Sequence, residues 1–531
     1  MQLKSPPSYC SKDMSRNEIP SLAASVSSSF AWSVAMADVQ LLQVQSFIRH
    51  GARTPYTKPQ CWAGYDFVWD CNVTEVVSSS PGSKADAPVT GLFKKRYDAR
   101  PEKNTLGGTC AVGQLLGEGY EQEKQNGLHM RTAYVCDDGP WCLFADDSAA
   151  DLQASGALYL RSDDEQRTVM SGQIMASSML NVSNTVLVWH TMDDNVDYID
   201  PNENACPRLK ELSGAAYSSQ GWTDKLASAE HQTMNDSMHA VWGGRVLWWD
   251  VLDCLMTTAC TGRALPDGMT EALFEEAVAF STFTGVYQSS YNNASYAKLS
   301  MARLTSDIRG FLEGAVNGTH PVKFVLWSGH DTTFIPLLTA IAPGALDEEW
   351  PPYASLATIE LLRIGGEMAG DYFRLVYNGK VIRLDGCNQD VCAISAFLKA
   401  TQYAVDLSDD EHCALTGDGT PTRTPPPATS ETGVNSTMSP TTTASLSATD
   451  SAQEPDKSDR SSVAIGSSNS ARGSDGDTGN GTNLLGVMVS CFFIGAIFIA
   501  VPAFFYFRRF RYEAMREFGL GRDGGHSYEM T

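Results

Sequence analysis

The sequence predicts an α/β protein: a mixed sheet flanked by helices, with a smaller, mainly helical subdomain and one C-terminal transmembrane helix. Three observations lead there. Short apolar runs that end in polar clusters alternate with stretches of 3.6-residue periodicity. An Asn-Gly pair separates two later strand-like runs. An uncharged apolar stretch long enough to cross a bilayer lies near the C-terminus.

The first strand-like run, VQLLQVQSFI at 39–48, leads into Arg49-His50-Gly51, where glycine permits a sharp turn before Thr54-Pro55 ends regularity. Similar apolar strands are predicted at 157–160, 185–189 and 322–327, each running into a polar cluster. Such alternation brings strand ends together at one site. Residues 372–377 and 381–384 flank Asn378-Gly379, two residues that tolerate positive φ, and predict a hairpin. Between about 207 and 320 the pattern is helical, with helices predicted over 242–254, 269–280 and 297–314, and reads as a subdomain inserted into the sheet domain.

The ends have their own character. Lys4, Lys12 and Arg16 precede a Ser-rich, weakly apolar stretch, and Ala35-Met36-Ala37 has the small-x-small form of a cleavage site. Residues 1–37 are therefore expected to be a signal peptide, with the mature domain over 38–413; Met14 is an alternative initiator. Residues 414–483 turn to Ser, Thr, Pro, Gly and Asp, a composition that cannot bury enough apolar surface to fold and reads as a stalk. Residues 484–507 carry no charge and, as a helix, would span roughly 36 Å at about 1.5 Å per residue. Arg508, Arg509 and Arg511 follow at once, which places the tail 508–531 in the cytoplasm and the rest outside: a single-pass type I topology at the cell surface or in an endosome or lysosome. Tyr512-Glu513-Ala514-Met515 has the form of an endosomal sorting signal.

A net charge of -23 excludes a protein that binds nucleic acid through its phosphates. An anionic ligand would need a local nest of arginines. The 13 cysteines show no zinc-ligand spacing with histidines and point to disulfides. Sequons begin at Asn72, Asn181, Asn235, Asn293, Asn317, Asn435 and Asn480, all ahead of the predicted span, and agree with a secreted domain. An acidic run from Asp193 to Asp200 lacks the glycine a calcium loop requires and reads as solvated.

Two clusters carry chemistry. Arg49-His50-Gly51-Ala52-Arg53-Thr54-Pro55 sets an imidazole between two guanidiniums, which bind phosphate oxygens while the imidazole attacks phosphorus. Ser328-Gly329-His330-Asp331-Thr332-Thr333 follows another apolar strand and offers a further phosphate donor in His330 and a carboxyl in Asp331 to protonate a leaving oxygen.

These motifs resemble those of the histidine acid phosphatases, a branch of the histidine phosphatase superfamily whose members carry RHGxRxP and a later His-Asp pair. Gly119-Tyr120-Glu121-Gln122 with Gly127, Leu160-Arg161-Ser162-Asp163-Asp164 with Arg167-Thr168, His190-Thr191, Cys206-Pro207-Arg208 and Pro351-Pro352-Tyr353-Ala354-Ser355 follow in the family's order, so that the resemblance covers nearly all of 39–413. It implies His50 as nucleophile, Asp331 as proton donor, and Arg49, Arg53, Arg161 and His330 as the phosphate-binding shell. It also implies no metal and no organic cofactor, disulfides Cys206–Cys413 and Cys387–Cys392, and substrates that are small phosphate monoesters or phosphoproteins. Cys254 lacks the family's distant partner, so Cys260 is its expected one. Residues 38–413 hold an odd number of cysteines, leaving one free or paired between chains, as in a homodimer. The alternatives are a phytase-like specificity within the same family and a catalytically idle surface glycoprotein that binds phosphorylated ligands.

Overall fold

The computed structural model describes residues 7, 10, 14–30, 38–57, 59–72, 77–79, 92–94, 98–100, 103–136, 139–183, 185–243, 246–346 and 349–415. They belong to one compact unit, Met1–Ala428; the other unit, Thr429–Thr531, lies outside the described residues. So do most of the expected stalk, the membrane span and the tail. Among the described residues no helix is long and apolar enough to cross a membrane.

The elements that build the site are, in chain order, helix α1 (Leu22–Phe30), strand β1 (Val39–Arg49), α2 (Gly117–Tyr134), β2 (Leu158–Ser162) and α3 (Gln166–Met179). Then come α4 (Arg208–Tyr217), α5 (Gln220–Ala227), α6 (Ala229–Trp242), α7 (Trp248–Cys260), α8 (Glu271–Ser300) and α9 (Ala302–Asn317). Last are β3 (Phe324–Gly329), α10 (Asp331–Ile341), β4 (Leu356–Ile364), β5 (Gly370–Tyr377), β6 (Lys380–Ile382) and β7 (Cys392–Ala393).

The sheet runs β6-β5-β4-β1-β3-β2, with β7 added to β5. β1 and β2 both pair parallel to the fully buried β3, while β4, β5 and β6 add antiparallel strands, so the sheet is mixed as expected. Asn378 and Gly379 take positive φ of 45° and 72° in the β5–β6 turn, as their residue types require. The whole α4–α9 stretch intervenes between β2 and its neighbour β3, which makes it an insertion in the crossover between two parallel strands.

Residues 185–189 form no strand. Val186 and Val188 are exposed, and the nearest pairings among the described residues are isolated bridges, Ser148 with Asn181 and Arg161 with His190. An apolar run predicts a strand only if a neighbouring edge is there to satisfy its backbone, and here Gln153 side-chain hydrogen bonds do that work instead.

Six disulfides close among the described cysteines. Cys206–Cys413 and Cys387–Cys392 are the pairs the resemblance implied. Cys254 and Cys260 do not bond to each other: both sit on α7, where six residues of helix separate them by roughly 9 Å, beyond disulfide reach. Cys254 bonds Cys61 and Cys260 bonds Cys10, which lies upstream of the expected domain start and removes the odd cysteine from the described domain.

Part of the stretch expected as a signal peptide is among the described residues. Residues 14–30 pack into the domain, with Asn17 fully buried and Val26 and Phe30 in one apolar cluster with Val44 and Ile48 of β1.

Candidate active site

β1 ends at Arg49 and β3 ends at Gly329, and the two are in register. The residue after each strand end is a histidine, so a parallel pairing brings His50 beside His330 with ring centroids 5.3 Å apart, although 280 residues separate them in sequence. His50 N–H donates to the Gly329 carbonyl at 3.0 Å, and its carbonyl accepts from Ala354 N–H at 3.1 Å. The backbone of the nucleophile candidate is thus tied on both sides.

Gly51 is needed for a close approach and has no positive φ: a Cβ there would run into the backbone of Gly119 in α2. His50 Nδ1 lies 2.9 Å from the Gly51 carbonyl, a contact that fixes Nδ1 as the protonated nitrogen and leaves the lone pair on Nε2. Burial, then the nearby charges of Arg167, Arg49, Arg53 and His330, hold the imidazole well below its ordinary pKa, so it is neutral and nucleophilic.

Arg49 and Arg53 stand where the sequence places them. Arg49 is buried, with Nη1 donating to Pro351 O at 2.5 Å, Nη2 2.6 Å from Asp331, and its guanidinium 4.2 Å from the Tyr353 ring centroid. Arg53 pairs with Asp253 at 2.5 Å. The other Asp253 oxygen accepts from Tyr56 N–H, Thr57 N–H and Thr57 Oγ1, so α7 of the helical insertion clamps the loop that carries Arg53.

Asp331 opens α10. Its Oδ1 accepts from Thr332 N–H at 2.9 Å and its Oδ2 from Trp350 Nε1 at 2.8 Å. Burial would raise its pKa, but Arg49, Arg53 and His330 outweigh burial and hold it below the carboxylate range. His330 behaves in the opposite sense: burial disfavours its charge, yet Asp163 at 2.6 Å raises its pKa. Asp200, half-buried beside this group and accepting from Thr333 Oγ1 at 3.4 Å, is pushed up to about 7 by desolvation.

Arg161 does not join this shell. Its partners are Asp197 at 2.7 Å, Asp307 at 3.8 Å and the Tyr198 ring at 4.4 Å. It stands in register with Trp327, as does Phe47, three residues or roughly 10 Å short of the row of His50. Arg167, one residue inside α3, is instead the charged group that acts most strongly on His50. It pairs with Glu165 and stacks 4.6 Å from the Tyr56 ring centroid. Its position at a helix N-terminus just after a strand end is the signal that could have singled it out. Asp253 and Asp200 gave no local signal, because a carboxylate on a helix or loop looks the same in sequence whether it faces solvent or a buried partner.

Asp163, Glu165 and His330 bring ligand atoms within 4.8 Å of one another. Asp163 is engaged by His330 and Glu165 by Arg167, and these pairings account for the cluster without a cation.

Neutral imidazole beside fixed guanidiniums, with a carboxyl just past a neighbouring strand end, has the chemistry to receive a phosphoryl group. Residues 40–378 match the model of the histidine phosphatase superfamily (branch 2), and the chain belongs to that family. Its relatives include "Counting factor 60" of Dictyostelium discoideum, 29% identical, covering 69% of this chain and 86% of that protein. Another is the human "Lysophosphatidic acid phosphatase type 6", 24% identical, covering 71% and 86% respectively. Among solved structures, the phytase of Citrobacter braakii superposes with a TM-score of 0.45 and 14% identity over 71% of this chain and all of that one. The chain is a phosphoric monoester hydrolase of the acid phosphatase type.

Proposed function

We propose that the protein hydrolyses phosphate monoesters through a phosphohistidine on His50, with Asp331 as proton donor, on the extracytoplasmic side of a membrane. The observation that carries the reading is the His50 ring: neutral, with Nδ1 committed to Gly51 O and Nε2 directed to chemistry among three guanidiniums.

His50 Nε2 attacks phosphorus while the bond to the leaving oxygen breaks and that oxygen takes the Asp331 proton. Water then attacks the phosphohistidine, giving its proton to Asp331 and releasing phosphate and free imidazole. With Arg49 beside it Asp331 is held ionised, so the acid form arises when a phosphate engages Arg49 in its place. A phosphate dianion that engages Arg49 takes away the cation that depresses Asp331, and burial then drives the carboxyl toward its protonated form. Arg49, Arg53 and Arg167 hold the non-bridging oxygens as charge spreads over them.

The leaving-group side is aromatic. Trp249 is 47% exposed and meets edge-on, at 5.7 Å, the Trp350 ring whose N–H holds Asp331. Tyr56, 49% exposed, lies over Arg167. Together with a set of cations sized for one phosphate, this favours monoesters with apolar leaving groups over the phytase-like alternative. Six disulfides support an oxidising compartment, as do the exposed sequon residues Asn72, Asn181, Asn293 and Asn317. The type I anchor at 484–507 rests on its length and flanking arginines.

The test is turnover of p-nitrophenyl phosphate, a single-chain lipid phosphate, nucleotide monophosphates and phytate from about pH 4 to about pH 8. Preference for the first two is the expected result. Preference for phytate selects the phytase-like alternative, and no turnover of any selects the idle binding protein.

A further inference from the structure

The N-terminal stretch reaches the loop that carries His50 by three routes, two through Cys10 and one through Asn17. The first is covalent: Cys10–Cys260 is buried in one small cluster with Ala52 and Tyr353. Ala52 is two residues past His50, and the Tyr353 ring packs on both the Arg49 guanidinium and, at 5.9 Å between centroids, the His50 ring. The second route is a bridging amide. Gln122 Nε2 donates to the Cys10 carbonyl at 3.1 Å while its Oε1 accepts from Ala52 N–H at 2.8 Å.

Asn17 supplies the third. It is fully buried, and its Nδ2 donates to the Ala354 carbonyl and to Asn126 Oδ1, both at 2.8 Å. Asn126 Nδ2 donates to the same Ala354 carbonyl at 3.0 Å. Ala354 is held at a φ of 55°, a conformation that costs a residue with a side chain of order 1–3 kcal/mol and persists only where its surroundings enforce it. Its N–H is the donor to the His50 carbonyl. Asn17 therefore pins, by one hydrogen bond, a strained turn that itself pins the nucleophile's backbone.

The same stretch is built into the domain elsewhere. Ser25 Oγ accepts from the fully buried Arg374 at 3.0 Å, and Ser29 Oγ accepts from Val391 N–H at 3.1 Å. The Arg16 carbonyl lies over the β5–β6 turn so closely that Gly379 has no room for a Cβ. A leader removed after Ala37 would take all of these partners with it and leave buried donors unpaired.

We propose that residues 10–30 stay on the mature enzyme as a disulfide-anchored strap, and that Asn17 is a positioning residue which holds the Tyr353–Ala354 turn, and through it His50, in phosphate-accepting geometry. The positioning role rests on the phosphohistidine reading; retention does not.

Two measurements on the full-length protein, purified from a secretory host, test this. Intact and peptide mass without reduction should include residues 10–30, with the Cys10–Cys260 peptide pair present; a mature protein lacking them overturns the proposal. Asn17→Ala and Asn17→Asp, the second of similar shape but without the amide donor, should each lower kcat by up to about 10²-fold with KM near the parent value. Rates are normalised to folded enzyme by near-UV circular dichroism and thermal melting. Unchanged kcat per folded molecule overturns the positioning role, whereas a parent enzyme that turns over no monoester overturns the activity reading instead and leaves the mass result standing.

Discussion

Arg49 and Asp331, neighbours only because β1 and β3 pair in parallel, form a buried ion pair with Nη2 2.6 Å from Oδ2. The residues proposed as phosphate binder and proton donor are thus paired with each other. Removing either one is therefore expected to disturb the other, and the variants must be compared on substrates that tell the two roles apart.

Asp331→Asn keeps the size of the side chain but delivers no proton. Monoesters with high-pKa alkyl leaving groups should lose on the order of 10² to 10⁴ in kcat/KM, and aryl phosphates less. Arg53→Ala should slow both kinds about equally, since charge stabilisation is common to them. The check is kcat/KM against leaving-group pKa; an Asp331→Asn line no steeper than the parent's removes Asp331 from the acid role.

Acid quench during turnover should trap an acid-labile, base-stable phosphoenzyme that is absent from His50→Ala. The neutral His50 ring with Nε2 as its lone-pair nitrogen motivates this. Label persisting in His50→Ala would move the nucleophile elsewhere.

Arg167 and Arg161 should separate cleanly. Arg167→Ala removes a cation that acts directly on His50 and should cost on the order of 10² to 10³ in kcat. Arg161→Ala instead leaves Asp197 buried without its partner and should lower stability by about 3–5 kcal/mol, with modest effects on the kcat of folded enzyme. Denaturant melts beside kinetics decide it, and a reversed pattern would restore Arg161 to the phosphate shell.

Asp200 should govern part of the pH response. Its folded pKa, raised to about 7 by burial, means that the fold binds this proton more tightly than the unfolded chain does. Stability from this group is greatest below the unfolded pKa of about 4 and declines as pH rises through about 7. Above that range an extra negative charge also faces the phosphate site beside His330. Asp200→Asn should flatten the fall in melting temperature between about pH 4 and about pH 7 and carry activity to higher pH. Unchanged melting and rate profiles would show that another group titrates there.

Sequence alone determined those parts of the protein that rest on neighbours along the chain. His50, Arg49 and Arg53 sit in one short motif and His330 with Asp331 in another, each at the end of an apolar strand, so backbone direction carries both to the same edge of the sheet. The Asn378-Gly379 hairpin was likewise legible, because positive φ is a property of the residues themselves. What only tertiary structure decided depends on distance through space. Register sent Arg161 to Asp197 and left Arg167 as the cation acting most strongly on His50; desolvation, which no local pattern encodes, raised Asp200; and helix geometry kept Cys254 from Cys260, whose partner is Cys10. The stretch before residue 38 reads as a leader because basic residues precede it and a small-x-small site closes it, yet its described apolar residues Leu22, Val26 and Phe30 are the ones that meet β1. Periodicity and charge report what a segment prefers; the partner that satisfies its buried groups is fixed by the fold as a whole.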